Sequence, residues 1–197
     1  MDAVFSINAH YERHTVPTCY RYATWADLAN PLVDGAQLPV VGEQPLGDFL
    51  THIQTQGEAP FSAQILQNKQ RTRANLAAPL KTEAARSYAE ILVAQGIETL
   101  ADANALLADS DRLKVVEQDL ARVAGHGSGA RLAYLWMLLG NDSLIKPDRM
   151  ILGWLRTVLQ RTVTTSDAIR LLTEAATRLD CTPWELDHAI WRHQRAA

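Results

Sequence analysis

The sequence predicts an all-α fold, a helical bundle, and three observations carry that prediction. Apolar residues recur three and four positions apart along most of the chain, and no segment sustains the two-residue alternation of a half-buried strand. Helix start and stop signals are frequent, the clearest being Thr182-Pro-Trp-Glu185. There Thr is a cap, Pro takes the first helical position and Glu follows the cap by three residues. The 197 residues are 47% apolar and 21% charged, enough for one core or two small lobes.

Taken in order, the first helix is expected over Val4 to Tyr11, with Val4, Ile7 and Tyr11 on one side. A loop-like stretch rich in Pro, Gly and Asp is expected from Pro17 to Pro45, interrupted by a short helical piece around Trp25 to Leu28. Leu46, Phe49, Leu50 and Ile53 then repeat at helical spacing, and Phe61, Ile65 and Leu66 mark the next helix, which runs out in the polar Gln67 to Arg73. Thr82 is placed to cap a helix that carries Ala85, Tyr88, Ala89 and Leu92 and stops at Gly96. Thr99-Leu-Ala-Asp102 opens a further short helix, its aspartate favourable at the positive helix end. Leu113 to Val123 follows with Leu113, Val116, Leu120 and Val123 as a buried stripe, and Thr165 or Ser166 caps a helix reaching Leu179. In the last helix Trp184, Asp187, His188 and Trp191 form the stripe expected to dock on the bundle. These elements divide the chain into residues 1–45, short-helical or irregular and packed on the core, and residues 46–197, an all-helical domain.

Composition excludes several classes. No apolar run approaches the roughly 18 residues of a membrane span; the longest is about Leu132 to Leu139. The N-terminus, MDAVFSINAHYERH, lacks the basic start and apolar stretch of a signal peptide. Cys19 and Cys181 are too few for a disulfide framework or an iron–sulfur cluster, so no cofactor or metal is expected and a cytoplasmic protein with reduced thiols is the default. His188 and His193, five apart, fall on different sides of one helix and do not form a metal pair. The net charge is −3, but residues 111–161 hold eight basic side chains against five acidic ones, leaving −6 for the rest. A local basic balance of this kind suits a polyanion better than the whole-chain charge does.

That basic stretch contains the most specific motif. Leu120-Ala-Arg-Val-Ala-Gly125-His126-Gly127-Ser128-Gly129-Ala130-Arg131 reads as two helices, spanning about residues 113–140, joined by a tight glycine turn. Glycines there permit left-handed backbone and close approach of another backbone or a phosphate. The second helix starts near Ser128, so its unpaired amides and positive dipole end favour an anion without reading sequence.

The segment resembles the helix-hairpin-helix DNA glycosylases. Members have a leucine-rich helix, a glycine–apolar–glycine turn, a helix with an early alanine and, about twenty residues on, a Val-Asp-Thr-His-like element with the catalytic aspartate. Here Gly125-His126-Gly127, Ala130 and Ile145-Lys146-Pro147-Asp148-Arg149-Met150 stand at the matching positions. An amphipathic helix follows through Ile151, Leu155, Val158 and Leu159. The resemblance covers residues 60–160; upstream, Lys81 to Leu92 is similar to the family's basic and alanine-rich helix, and Ile65 to Gln70 echoes its glutamine-containing segment.

The resemblance implies a helical glycosylase-like fold, double-stranded DNA as partner and base excision as activity, with Asp148 as the catalytic carboxylate. An ionised carboxylate stabilises the cation-like sugar and orients water, after the base has been flipped into a pocket. Gly125, His126, Gly127, Ser128, Gly129, Arg131, Lys146 and Arg149 would contact the DNA backbone, and Tyr134, Trp136 and Trp154 would supply pocket walls. Gly129 stands where bifunctional members carry a lysine nucleophile, which points to a monofunctional hydrolase. The departures are His126 in the turn, Pro147 before the aspartate, and Arg149-Met150 in place of Thr-His. The alternative is a noncatalytic scaffold that binds DNA structure or a protein partner. In that alternative Asp148 only caps a helix, the glycine turn is only a joint, and Gln67 to Arg73 is only a solvated helix end.

Overall fold

The computed structural model describes residues 1–28, 40, 42–126 and 129–196. Among them every regular element is helical, apart from an isolated antiparallel bridge between Arg71 and Leu80. Chain contacts divide the protein into two compact units, Met1–His126 and Gly127–Ala197. The boundary falls inside the segment that the sequence reads as one hairpin.

The first unit contains α1 (Asp2–Phe5), α2 (Val16–Trp25), α3 (Leu46–Gln56), α4 (Glu58–Pro60), α5 (Lys81–Ala94), α6 (Leu100–Ala108) and α7 (Ser110–Ala121). Two π-helical turns, Tyr11–Thr15 and Phe61–Ile65, interrupt the series. Two expectations near the N-terminus are corrected. The first helix ends at Phe5 rather than Tyr11, and Asn8 takes a left-handed φ of 51° just beyond it. The first part of the loop expected from Pro17 to Pro45 is instead a ten-residue helix with Pro17 in its first turn. It ends at Trp25, where the short helical piece is expected to begin; residues 29–39 and 41 of that stretch lie outside the described residues. The π-helical turn Tyr11–Thr15 runs directly into α2, with Thr15 and Val16 at helical angles, so the amide that Pro17 lacks falls where the hydrogen-bond register changes between the two.

The core of this unit is built from Phe5, Tyr22, Phe49, Phe61, Leu66, Tyr88, Leu92, Leu106, Val116 and Leu120, all buried. Tyr22 meets Phe49 edge-on at 5.3 Å, and Phe49 meets Phe61 at 6.0 Å. Beside this apolar core runs a buried polar chain. Thr82 Oγ1 donates to Ser62 Oγ (3.0 Å), Ser62 Oγ to the Asn68 carbonyl (2.6 Å), and Asn68 Nδ2 to Thr18 Oγ1 (2.9 Å). Lys81, 2% exposed, donates from Nζ to the Phe5 carbonyl (2.8 Å), the Ile7 carbonyl (2.6 Å) and Gln70 Oε1 (3.1 Å). Thr82 is a buried residue in the first turn of α5, and Leu80 occupies the cap position, without a side-chain bond. Thr99 and Asp102 open α6 as expected and there form a capping box, and Asp109 caps α7.

The second unit contains α8 (Ala130–Leu138), α9 (Arg149–Leu159), α10 (Thr165–Arg178) and α11 (Pro183–Ala196). Ile145, Ile151, Leu155, Val163, Ala168, Leu172 and Ile190 form its core, with Leu152, Trp154, Leu171 and Leu186 packed against it. Helices α9, α10 and α11 pack on one another. Thr164, one residue earlier than expected, caps α10 by accepting from Asp167 N at 3.1 Å. The Thr182–Glu185 box forms as the sequence dictates, with Thr182 N donating to Glu185 Oε2 (2.7 Å) and Glu185 N to Thr182 Oγ1 (3.1 Å).

Helix α11 is turned from its expected orientation. Asp187 and Ile190 face inward, whereas Trp184 and His188 are exposed and Trp191 is half-buried. The rings stack along the outer face instead: Trp184 on His188 at 5.4 Å, His188 on Trp191 at 5.7 Å, and the Arg195 guanidinium 4.5 Å over Trp191. The aliphatic Ile190 and Leu186 meet the α9–α10 core, and the amphipathic rings keep their polar edges in water.

Candidate functional site

Asp148 stands at the N-cap of α9 with extended backbone, φ −89° and ψ −179°. Its Oδ1 accepts from Met150 N (2.8 Å) and Ile151 N (3.2 Å), which fixes the carboxylate plane against the helix start. Its Oδ2 lies 3.8 Å from Lys146 Nζ, and the side chain keeps 21% of its surface exposed. Two residues of chain, with Pro147 buried between them, hold the ammonium and the carboxylate on one side of the helix start.

Lys146 is fixed from two further directions. Its Nζ lies 3.6 Å from the centroid of the Tyr134 ring, a cation–π contact with α8. Its backbone N–H donates to Asp187 Oδ2 at 2.8 Å, which ties the α9 approach to α11. Asp187 is buried, and burial pushes its carboxyl up to about 6; the Lys146 amide opposes that rise and the nearby Asp148 charge adds to it. One carboxyl group is thus bound by two amides and partly open to water, while its neighbour is buried beneath the lysine backbone. Two like groups in environments this different can take different roles in one site.

The residues singled out in the sequence separate in the fold. Tyr134, Lys146 and Asp148 come together as described. Arg131 is fully buried and Trp136 is 1% exposed, so the first does not present its guanidinium to a phosphate at the surface and the second offers no open ring face. Trp154 is half-buried, packed against the α9–α11 core. Gly125 adopts the left-handed angle expected of the turn, φ 80°, and Gly129 takes φ 88°. Gly129 opens α8 with no side-chain cap and nothing within 4 Å of where a Cβ would sit. His126 is half-buried and its backbone N–H donates to the Val123 carbonyl at 3.2 Å. Arg149 is exposed. Gly127 and Ser128 lie outside the described residues.

Asp187 is the member that the sequence does not single out as functional. Its signal is an acidic residue in phase with Leu186 and Ile190, on the face that packs inward. A carboxylate so placed must find a donor, because an unpartnered buried charge is costly.

Fold and site together define an all-helical protein with a carboxylate–lysine pair at a helix start. No helix among the described residues is long and apolar enough to cross a membrane. Residues 1–195 match the model of a family described as a domain of unknown function (DUF8548), and the chain belongs to that family. The match spans both units. No curated protein and no solved structure matches the chain.

Proposed function

We propose that this protein binds double-stranded DNA and excises a damaged or mismatched base, as a glycosylase-like helical protein with Asp148 as the reacting carboxylate. The observation that carries this reading is the geometry of Asp148. One oxygen is locked by two amides, the other is 3.8 Å from an ammonium, and the side chain as a whole keeps 21% of its surface exposed. A carboxylate held in a fixed orientation can stabilise positive charge on C1′ as the N-glycosidic bond lengthens. It can also accept a hydrogen bond from the water that attacks C1′. The water supplies hydroxyl to the sugar and its proton leaves with the base. The uncapped start of α8 and the exposed Arg149 are suited to flanking phosphates.

The test is single-turnover excision on duplexes carrying a panel of lesions and mismatches, beside duplex binding measured by anisotropy. Asp148→Asn is expected to abolish excision while the affinity for a stable abasic-site duplex stays within about threefold. Full activity in that variant would overturn the assignment.

A second reading is a noncatalytic helical scaffold, favoured by the burial of Arg131 and Trp136. It predicts no excision on any duplex. Binding would then either fall steeply with salt, for a DNA-structure binder, or be absent at low salt, for a protein-only partner.

A further inference from the structure

In the first unit a groove of about 560 Å³ lies between α2 and the π-helical turn Phe61–Ile65. Tyr20, Arg21 and Trp25 line one side, and Gln64, Ile65 and Gln67 the other. Tyr20 is 45% and Trp25 41% exposed, large areas for aromatic rings not held in a core. Trp25 is nonetheless braced by neighbouring rings. It meets His52 edge-on at 4.9 Å and Phe61 at 6.0 Å, so little ordering is needed before a ring stacks on it. Arg21 bridges the walls by donating from Nη1 to the Leu66 carbonyl at 3.3 Å, which uses one of its five donors. Gln67 holds a left-handed φ of 48° at the groove edge, a strained angle for a residue with a side chain.

Charge gives the groove its direction. Residues 1–126 carry fifteen acidic and ten basic side chains, yet residues 13–26 and 59–82, which supply both walls, contain no acidic residue at all. Arg13, Arg21, Lys69, Arg71 and Arg73 are basic and exposed in these two segments. Of these five cations Arg21 lines the groove; the other four, and Glu12, Asp27 and Glu58, which border the two segments in sequence, lie outside its lining. Exposed aromatic rings among cations, in a unit otherwise acidic, match a ligand of flat bases on a phosphate chain.

We propose that this groove binds single-stranded nucleic acid, with bases against Trp25 and Tyr20 and phosphates along Arg21, Arg13 and Lys69. The two aromatic residues are five apart on α2, about 7.5 Å along the axis and about 140° around it, so they flank the groove from different sides of the helix and offer two separate rings. An acidic peptide would satisfy the cations but leave two exposed flat rings without a matching face.

The probe is labelled oligothymidylate, followed by anisotropy and by quenching of tryptophan fluorescence with the full chain at two salt concentrations. Wild type binds and weakens as salt rises; Trp25→Ala weakens binding about tenfold or more, and Tyr20→Ala does so by several-fold. Lys69→Glu flattens the salt dependence. Tyr20 and Lys69 are exposed, so their variants keep the fold even where Trp25→Ala does not, as circular dichroism will report. Absence of oligothymidylate binding at low salt, equal binding by the Tyr20 and Lys69 variants, or tighter binding of an oligoglutamate peptide would each overturn the proposal. The outcome is separate from that of the glycosylase-like reading. Excision without oligothymidylate binding removes only this inference, and oligothymidylate binding without excision removes only the other.

Discussion

The backbone N–H of Lys146 donates to the Asp187 carboxylate at 2.8 Å, joining residues 41 apart in the chain. That bond fastens the approach to α9 onto α11, and it places a second carboxylate beside the Lys146–Asp148 pair. It has a measurable consequence for stability. Asp187 holds its proton up to about pH 6 in the folded protein, while the unfolded chain releases it near the ordinary value of 3.8. Between those limits the folded state binds more protons, so stability falls as pH rises from about 4 to about 6 and levels off above. Across that window the loss is on the order of 3 kcal/mol. Urea denaturation will show the decline in wild type. Asp187→Asn, which can still accept from the Lys146 amide, is expected to remove it. An unchanged slope in the variant would assign the pH dependence to other groups.

Substitution at Asp148 separates capping from chemistry. Asparagine caps a helix about as well as aspartate, so Asp148→Asn should change stability by roughly a few tenths of a kcal/mol, whereas Asp148→Ala loses about 1 kcal/mol. Both should lose excision if the carboxylate is the reacting group. Thermal denaturation beside the excision assay distinguishes the two effects, because a pure cap would leave Asp148→Asn fully active.

Lys81 anchors the chain start, through the Phe5 and Ile7 carbonyls and Gln70. Lys81→Ala leaves those acceptors buried without their donor and opens a cavity, at a cost of about 3 kcal/mol or more. Residues 1–20 are expected to become the first site of limited proteolysis, with mass spectrometry locating the cut. Cleavage that begins elsewhere at the same rate as in wild type would argue against the anchor.

The orientation of α11 predicts opposite outcomes for neighbours on one helix. Ile190 is 4% exposed in the core of the second unit, and Ile190→Ala should cost roughly 2–5 kcal/mol. Trp184 is 38% exposed, and Trp184→Ala should cost about 1 kcal/mol or less, mainly the lost stacking on His188. Chemical denaturation of both variants checks the contrast, and equal losses would place Trp184 in the core after all.

Local signals are legible in the sequence because they act over a few residues. The Thr182–Glu185 box, the helix starts at Thr99 and Asp148 and the left-handed Gly125 follow from interactions within one helical turn. The all-helical class follows from the spacing of apolar residues for the same reason. Val16–Trp25 reads as a loop because Pro17 is a breaker in a helix interior and a starter in its first turn, and sequence alone does not say which.

What the sequence determined by itself was therefore the helical class and the helix starts at Leu46, Thr99, Asp148 and Thr182, one of which carries the Asp148 carboxylate. What only the tertiary structure decided was company and exposure: Asp187 beneath Lys146, Tyr134 against its ammonium, Arg131 and Trp136 out of reach of water, and Trp184 and His188 in it. A cap is closed by neighbours in the chain. Which face of a helix is buried, and which distant donor meets a buried carboxylate, depends on how whole helices pack, where a rotation of a fraction of a turn exchanges inside for outside.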